Sequence, residues 1–406
     1  MNTIAETYVK LVLAVGQHDA DYVDAFHGPE EWLRAAKAKK MSLQEIREQA
    51  NDTLERLRSC TPQATSEQLR LRYQYLSKQL ESLVARVDML EGKRFTFDEE
   101  SRALYDAVAP KYSEQHFKSV LDELAARLPG DGSVQSRYEA FKNGFIIPKV
   151  KLDAVFAAAI NECRKQTKRR ISLPDHESFV VEYVTNKAWS GYNWFKGNAH
   201  SLIQMNTDLP IYIDRAVDLA AHEGYPGHHV YNTLLEENLL KKNGWIEFSV
   251  YALFSPQSLI AEGTANYGIE VVFTPKERIA FERDVLFPLA GLDASQVELY
   301  YDIHVLLIKL AYAGNEAARG YLDGSMSKDE AIQWLMNYAL YSRERATQRI
   351  KFFENYRSYV INYNLGQDMV KRYIEEIRGA SMDSDKRWKE FTELISSPRL
   401  PSNLAE

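Results

Sequence analysis

Ala221-His222-Glu223-Gly224-Tyr225-Pro226-Gly227-His228-His229 is the stretch whose reading sets the expected fold. Three of the chain's nine histidines fall in it, and the first is followed at once by glutamate. Zinc hydrolases need two neutral imidazoles, usually a third protein ligand, and a carboxylate that takes a proton from water. A helix carrying His-Glu-x-x-His meets most of these demands, because residues four apart share a face. Here the position four after His222 is Pro226. On a straight helix His228 would lie about 120° around from His222, and His229, though nearly in line, would be roughly 10 Å further along the axis. Neither shares a metal with His222 in that geometry. Pro226, however, has no amide hydrogen, and its ring clashes with the carbonyl of His222 four residues back, so the helix must kink or open. Gly227 adds the conformational freedom to turn the chain. A two-residue bulge then returns His228 to the place of the second histidine. The expected metal pair is therefore His222 and His228 rather than His229, with Glu223 as general base. The plainer alternative is a helix end marked by Pro-Gly, with buried or solvated histidines.

The third ligand is expected to be a carboxylate on a later helix. In Leu259-Ile260-Ala261-Glu262-Gly263-Thr264-Ala265-Asn266-Tyr267-Gly268-Ile269-Glu270, residues Glu262, Asn266 and Glu270 share one helical face. Gly263 permits close approach of another backbone. Glu262 is the chosen ligand, and Asn266, one turn on, is placed to orient a ligand histidine through its other ring nitrogen. Without the histidine segment, Glu262 would read as a solvated helix face.

Around this centre the chain reads as helical. Leu69, Tyr73, Leu76, Leu80, Leu83, Val87 and Leu90 form one stripe by steps of three and four, ending at Gly92. Ser42-Leu43-Gln44-Glu45 and Ser327-Lys328-Asp329-Glu330 read as capping boxes, so helices are predicted over 42 to 59 and from 328 onward. Pro129-Gly130-Asp131-Gly132 and Pro148 are the clearest breaks, which puts a soft lobe boundary near 150. Residues 201–206 and 209–213 lack helical period and are expected as strands or extended segments.

Composition limits the partners. The 406 residues are 45% hydrophobic and 26% charged, which is globular usage. The net charge of −7 is spread along the chain and speaks against nucleic acid. The one basic run, Arg164 to Arg170, is read as a solvated helix end. Cys60 and Cys163 stand outside metal-ligand spacing, and a disulfide framework is not expected. No apolar run is long enough for a bilayer span, and the first residues lack a signal-like segment, so no membrane partner and a cytoplasmic location are expected. The 24 tyrosines suit a groove that presents rings and hydroxyls.

These motifs, followed by Tyr363-Asn364-Leu365-Gly366-Gln367, resemble the bacterial family of unknown function marked by His-Glu-x-x-Pro-Gly-His, regarded as a distant branch of the gluzincin peptidases, the clan of thimet oligopeptidase and the Taq-type carboxypeptidases. The likeness spans about residues 95 to 375 and includes Phe145-Ile146-Ile147-Pro148 ahead of a helix. It implies a mainly α (α+β) zincin-like fold with a small sheet beside the active-site helix. Residues 1–150 would form a helical lobe roofing a groove, and residues 151–406 the catalytic lobe. It also implies one zinc ion per chain on His222, His228 and Glu262, Glu223 as base, and His229 as a more replaceable supporting residue. Tyr363 matches a tyrosine that donates to the oxyanion, with Tyr356 and Tyr359 as rivals and Tyr359 also placed to touch substrate. His304 matches a family histidine, although the position four before it is Tyr300 and the nearest acid in sequence is Asp302. The segment 201–206 is expected to be an edge strand that pairs with substrate backbone, so Asn206 is a candidate contact. Arg357, beside the late tyrosines, is a candidate for holding a substrate carboxylate.

The function expected from these residues is hydrolysis of a short peptide or another small amide. A non-peptide amide or ester hydrolase at the same metal, and a catalytically silent peptide- or metal-binding scaffold, are the rival readings.

Overall fold

A computed structural model describes residues 1–59 and 66–405; Cys60 lies outside them. The chain is mainly helical, 67% helix against 8% strand, with small sheets. Both capping boxes form. Ser42 and Glu45 exchange hydrogen bonds at the start of the helix Leu43–Ser59, and Ser327 and Glu330 do so before the helix Lys328–Tyr338.

The stripe from Leu69 belongs to the helix Glu67–Leu90, which buries Leu76, Leu80, Leu83 and Val87. Its buried face also takes in Arg72, whose guanidinium binds both oxygens of the buried Glu247 at 2.6 and 2.9 Å. Leu69 itself stays at the surface. The Pro129–Gly132 break joins the helices Glu114–Arg127 and Val134–Asn143. No helix among the described residues is long and apolar enough to cross a membrane.

Five strands are present among the described residues. β1 (Val23–Phe26) pairs antiparallel with β5 (Val250–Ala252). β2 (Ser178–Val184), β3 (Gly191–Gly197) and β4 (His200–Asn206) form a sheet in the order β2-β4-β3, with β4 parallel to β2 and antiparallel to β3. The strand expected at 201–206 therefore exists but lies in the centre of its sheet. With both sides paired, it has no free backbone edge to offer a substrate; β3, at the edge of the sheet, gives Gly191, Tyr192 and Asn193 to the groove. Residues 209–213 form no strand, only a bridge from Tyr212 to Ile146.

One buried core runs through the molecule, from Ile4 and Val12 at the first helix to Phe391 and Leu404 at the end. Against it opens a cavity of about 600 Å³ walled by β3, the histidine segment and the helices Val297–Lys309, Arg343–Tyr356 and Ile361–Arg372. From residues 1–150 the wall takes Asp24, Tyr138, Phe141 and Lys142.

Candidate metal centre

The helix that begins at Asp214 widens into a π turn over Ala220–Gly224. The amide of Tyr225 reaches back five residues to the carbonyl of Ala220, and that of Gly227 reaches back six to Ala221, at 3.0 and 2.9 Å. Pro226, whose peptide bond with Tyr225 is cis, cannot donate at the point where the ladder opens. Gly227 is needed for space. Its φ is −73°, but a Cβ there would stand 1.9 Å from the His222 carbonyl oxygen. The widened turn absorbs the two extra residues of the motif, and the helix His228–Leu235 starts with its first side chain facing His222.

His222 Nε2 and His228 Nε2 lie 3.1 Å apart, and Glu262 Oε2 is 3.2 Å from the first and 3.6 Å from the second. These three residues form the one group among the described residues whose His, Cys, Asp and Glu donor atoms converge in this way. A tetrahedral zinc with bonds of about 2.0–2.1 Å separates its donors by about 3.4 Å, so the trio has the dimensions of such a site. Glu262 Oε2 is buried and accepts no hydrogen bond although two imidazoles flank it, as suits an oxygen aimed at a shared point rather than at either ring.

The surrounding bonds fix each donor. Asn266 Nδ2 donates to the carbonyl of Tyr363 at 2.9 Å, which turns its Oδ1 toward His222 Nδ1, also at 2.9 Å. His222 therefore carries its proton on Nδ1 and presents a lone pair on Nε2. Tyr359 donates its hydroxyl to Glu262 Oε1 at 2.8 Å, leaving Oε2 for the centre. Tyr359, which also lines the cavity, thus stands against the Glu262 carboxylate.

Glu223 is buried beside the trio, Oε1 4.0 Å from His222 Nε2 and Oε2 without a hydrogen-bond partner. Burial pushes its carboxyl above the usual range, opposed by the two imidazoles. Asn193 holds the Glu223 backbone carbonyl at 2.7 Å, and Gly191 on β3 leaves the room its carboxylate occupies, since a Cβ there would stand 2.7 Å from Oε1. Burial works against the charged form of Glu262 as well, but the neighbouring imidazoles outweigh it and hold the carboxyl well below its usual range. For His228 burial lowers the affinity for a proton, while Glu262, Glu223 and Asp24 raise it, to about 9 on balance.

Tyr363 lines the same cavity, its ring 5.8 Å from that of Tyr359. Tyr356 lines it too. His304 is there, 3.8 Å from Asp214 Oδ2; Asp214 also accepts from the Tyr300 hydroxyl at 2.6 Å. The acid opposite His304 is thus Asp214 from another helix, whereas Asp302 points to solvent.

Three expected roles are corrected. Arg357 turns away from the cavity, and its Nε binds buried Glu100 at 2.6 Å; Glu100 also accepts from Ser358, so the arginine helps hold a chain reversal at φ +50°. Asn206 borders the cavity, but its amide donates to the carbonyls of Lys187 and Trp189 and its Oδ1 accepts from the Asp208 amide, so it shapes the 187–189 loop. His229 makes no hydrogen bond to His222, His228 or Glu262. Fully buried, it joins Ser201 Oγ at 2.9 Å and Glu177 Oε2 at 3.2 Å. Glu177 is also bound by Tyr225, Arg164 and Lys168, so the basic run lies at an exposed helix end, as expected, and two of its members also pair with a buried acid.

Asp24, Tyr192, Arg345 and Arg349 line the cavity and were not picked out from the sequence. Asp24 accepts from the Tyr192 hydroxyl, and burial raises its carboxyl to about 6 against the pull of that bond and of His228. Nothing near Asp24 in the sequence marks it, because β1 reaches the site from the far end of the chain. Arg345 and Arg349 sit four apart in a charged helix that reads as ordinary surface.

No family model matches the chain, and no curated protein matches it. Solved structures do. A candidate lipoprotein from Colwellia psychrerythraea is 15% identical with a TM-score of 0.53, the match covering 89% of this chain and 68% of that one. A candidate lipoprotein of unknown function from Shewanella oneidensis is 13% identical, TM-score 0.44, covering 89% and 75%. An M32 carboxypeptidase from Deinococcus radiodurans R1 is 12% identical, TM-score 0.39, covering 97% and 88%. The first likeness is one of fold alone. The resemblance drawn from the motifs rests on the motifs.

Proposed function

We propose that this protein is a zinc-dependent hydrolase that cleaves short peptides, of the gluzincin type that the His-Glu-x-x-Pro-Gly-His motif resembles. The observation that carries the reading is the meeting of His222, His228 and Glu262 at tetrahedral spacing beside a buried, unpartnered Glu223 carboxylate oxygen. When bound, zinc supplies Lewis acidity, which polarises a carbonyl and makes water a nucleophile near neutral pH. The chain's own residues do the rest. Glu223, with a carboxyl raised by burial, takes a proton from the attacking water and passes it to the departing amine. Tyr363 presents its hydroxyl to the oxyanion from the helix Ile361–Arg372. Asn266 and Tyr359 keep His222 and Glu262 in the orientations the metal needs. A cavity of about 600 Å³ admits a few residues and excludes folded chains.

The test is elemental mass spectrometry of purified protein together with hydrolysis of a peptide library. Near one zinc per chain is expected. Glu223→Gln should keep the zinc and lose turnover by about 10²-fold or more. Full turnover in that variant, or no zinc even after reconstitution, would overturn the reading; zinc-dependent cleavage of esters but not of peptides would overturn the substrate class.

A further inference from the structure

Three arginines line the cavity. Arg215 faces Asp218 at 3.3 Å. Arg345 and Arg349 have no carboxylate within ion-pair distance among the described residues. Elsewhere buried guanidinium groups are paired: Arg72 with Glu247, Arg278 with Glu282 and Arg319 with Glu316, at 2.6, 2.9 and 2.7 Å. Arg349 lies over the rings of Phe352, Phe353 and Tyr363 at 4.5, 5.4 and 5.8 Å, and its Nε is buried without a hydrogen-bond partner. Arg345 lies 4.4 Å over Tyr341. The aromatic faces hold the Arg349 guanidinium in place and leave its N–H fork open, whereas Arg345 also hydrogen-bonds Tyr341. Lys142, across the same compartment, rests over Tyr138 and Tyr212 without a carboxylate. Asp214, the acid on that wall, is already bound by the Tyr300 hydroxyl.

A half-buried cation with an unpartnered N–H and no counter-charge is costly, so Arg349 calls for an anion that arrives with the ligand, and Arg345, exposed one helical turn away in the same cavity, adds a second positive charge beside it. Residues four apart on a helix share a face, so the two positive charges stand along one wall of the cavity and suit a ligand with two carboxylates, such as an acidic amino acid. Resting on the hydrolase reading of this site, we propose that Arg349, beside Tyr363, receives the α-carboxylate of the substrate's last residue and that Arg345 receives its side-chain carboxylate. The favoured substrate is then a short peptide ending in glutamate or aspartate. Its last peptide bond is broken, with the hydroxyl of water going to the acyl carbon and the proton to the released amine.

The first arm of the test is calorimetric binding of N-acetyl-L-glutamate, N-acetyl-L-glutamine and the α-amide of N-acetyl-L-glutamate to the full chain as purified. Loss of either carboxylate should weaken binding at least about tenfold. Arg345→Gln should abolish the difference between the glutamate and glutamine compounds, and Arg349→Gln the difference between acid and α-amide. Arg349→Lys, which keeps a charge but loses the fork, should fall between and serves if the glutamine variant does not fold. Equal binding of the three compounds, no binding of any, or differences that persist in folded variants would each overturn the assignment. The second arm compares N-acetyl-Ala-Ala-Glu with its C-terminal amide, with products identified by mass spectrometry. Equal cleavage of the two removes the arginine site and leaves the hydrolase; charge-selective binding by a chain that takes up no zinc removes the hydrolase and leaves the arginine site.

Discussion

The two tyrosines nearest the metal centre differ in what their hydroxyls touch, and that difference separates their roles. Both line the cavity, but the Tyr359 hydroxyl donates to Glu262 Oε1, whereas Tyr363 holds Asn266 through its backbone carbonyl. Tyr359→Phe should therefore weaken zinc binding by about 10- to 100-fold, the effect of removing a partner that orients a ligand. Tyr363→Phe should leave zinc affinity unchanged and lower kcat by about 10²–10³-fold, the effect of removing one oxyanion donor. Zinc titration with a competing chelator, run beside steady-state kinetics on a cleaved peptide, measures both. The assignment fails if the two variants lose the same property. In the sequence the choice of Tyr363 over Tyr356 and Tyr359 rests on the resemblance alone, because only the hydrogen bonds tell a hydroxyl bound to Glu262 from one that is not.

At the scale of elements, the centre is set by how closely two helices approach. Pro256–Val272 carries Glu262 and Asn266, and Ile361–Arg372 carries Tyr363; they cross with Gly263 against Gly366. A Cβ on Gly366 would stand 2.8 Å from the Leu259 carbonyl oxygen and 3.0 Å from the Gly263 Cα. Gly366→Ala should push the helices apart, cost about 1–3 kcal/mol, and weaken zinc binding by loosening the Asn266 bond to Tyr363. Gly314→Ala is the control: a Cβ there meets nothing within 4 Å, and the change should be neutral or slightly stabilising. Thermal unfolding and zinc titration of both variants decide the matter, and equal behaviour would remove the glycine crossing as a determinant. This close contact was half legible: Gly263 stood out as a place of approach, but the partner surface could not be read. Helix starts, the bulge at Pro226 and the choice of His228 were legible because they follow from local chemistry, namely capping serines, a missing amide hydrogen and helical spacing. What was not legible depends on distant pairing. The central place of β4 follows from β2 and β3 flanking it, and the loss of Arg357 to Glu100 joins residues 257 positions apart.

Over the whole molecule, Glu177 is the clasp between the sheet and the metal helix. Its carboxylate gathers Arg164 and Lys168 from the helix Leu152–Lys168, the Tyr225 hydroxyl from the widened turn, and His229, which in turn meets Ser201 on β4. Burial would raise its carboxyl, but the bonds from His229, Tyr225, Arg164 and Lys168 prevail and hold it well below the usual range. The folded state therefore binds the proton less readily than the unfolded chain, whose glutamates titrate at about 4.3. Stability from this group is complete above that pH and is lost as the pH falls from about 5 toward the depressed folded value. Glu177→Gln removes the charge at every pH, so it should be less stable than the parent near neutrality and show a shallower fall in Tm on acidification, the two curves drawing together as the pH falls below about 5 toward the depressed folded value. Unfolding followed by circular dichroism between pH 3 and 7 measures this, and parallel curves would show that the clasp contributes no charge-dependent stability. Because the clasp fixes the turn that brings His228 to His222, the variant should also lose zinc affinity at neutral pH, where its effect on the fold is largest.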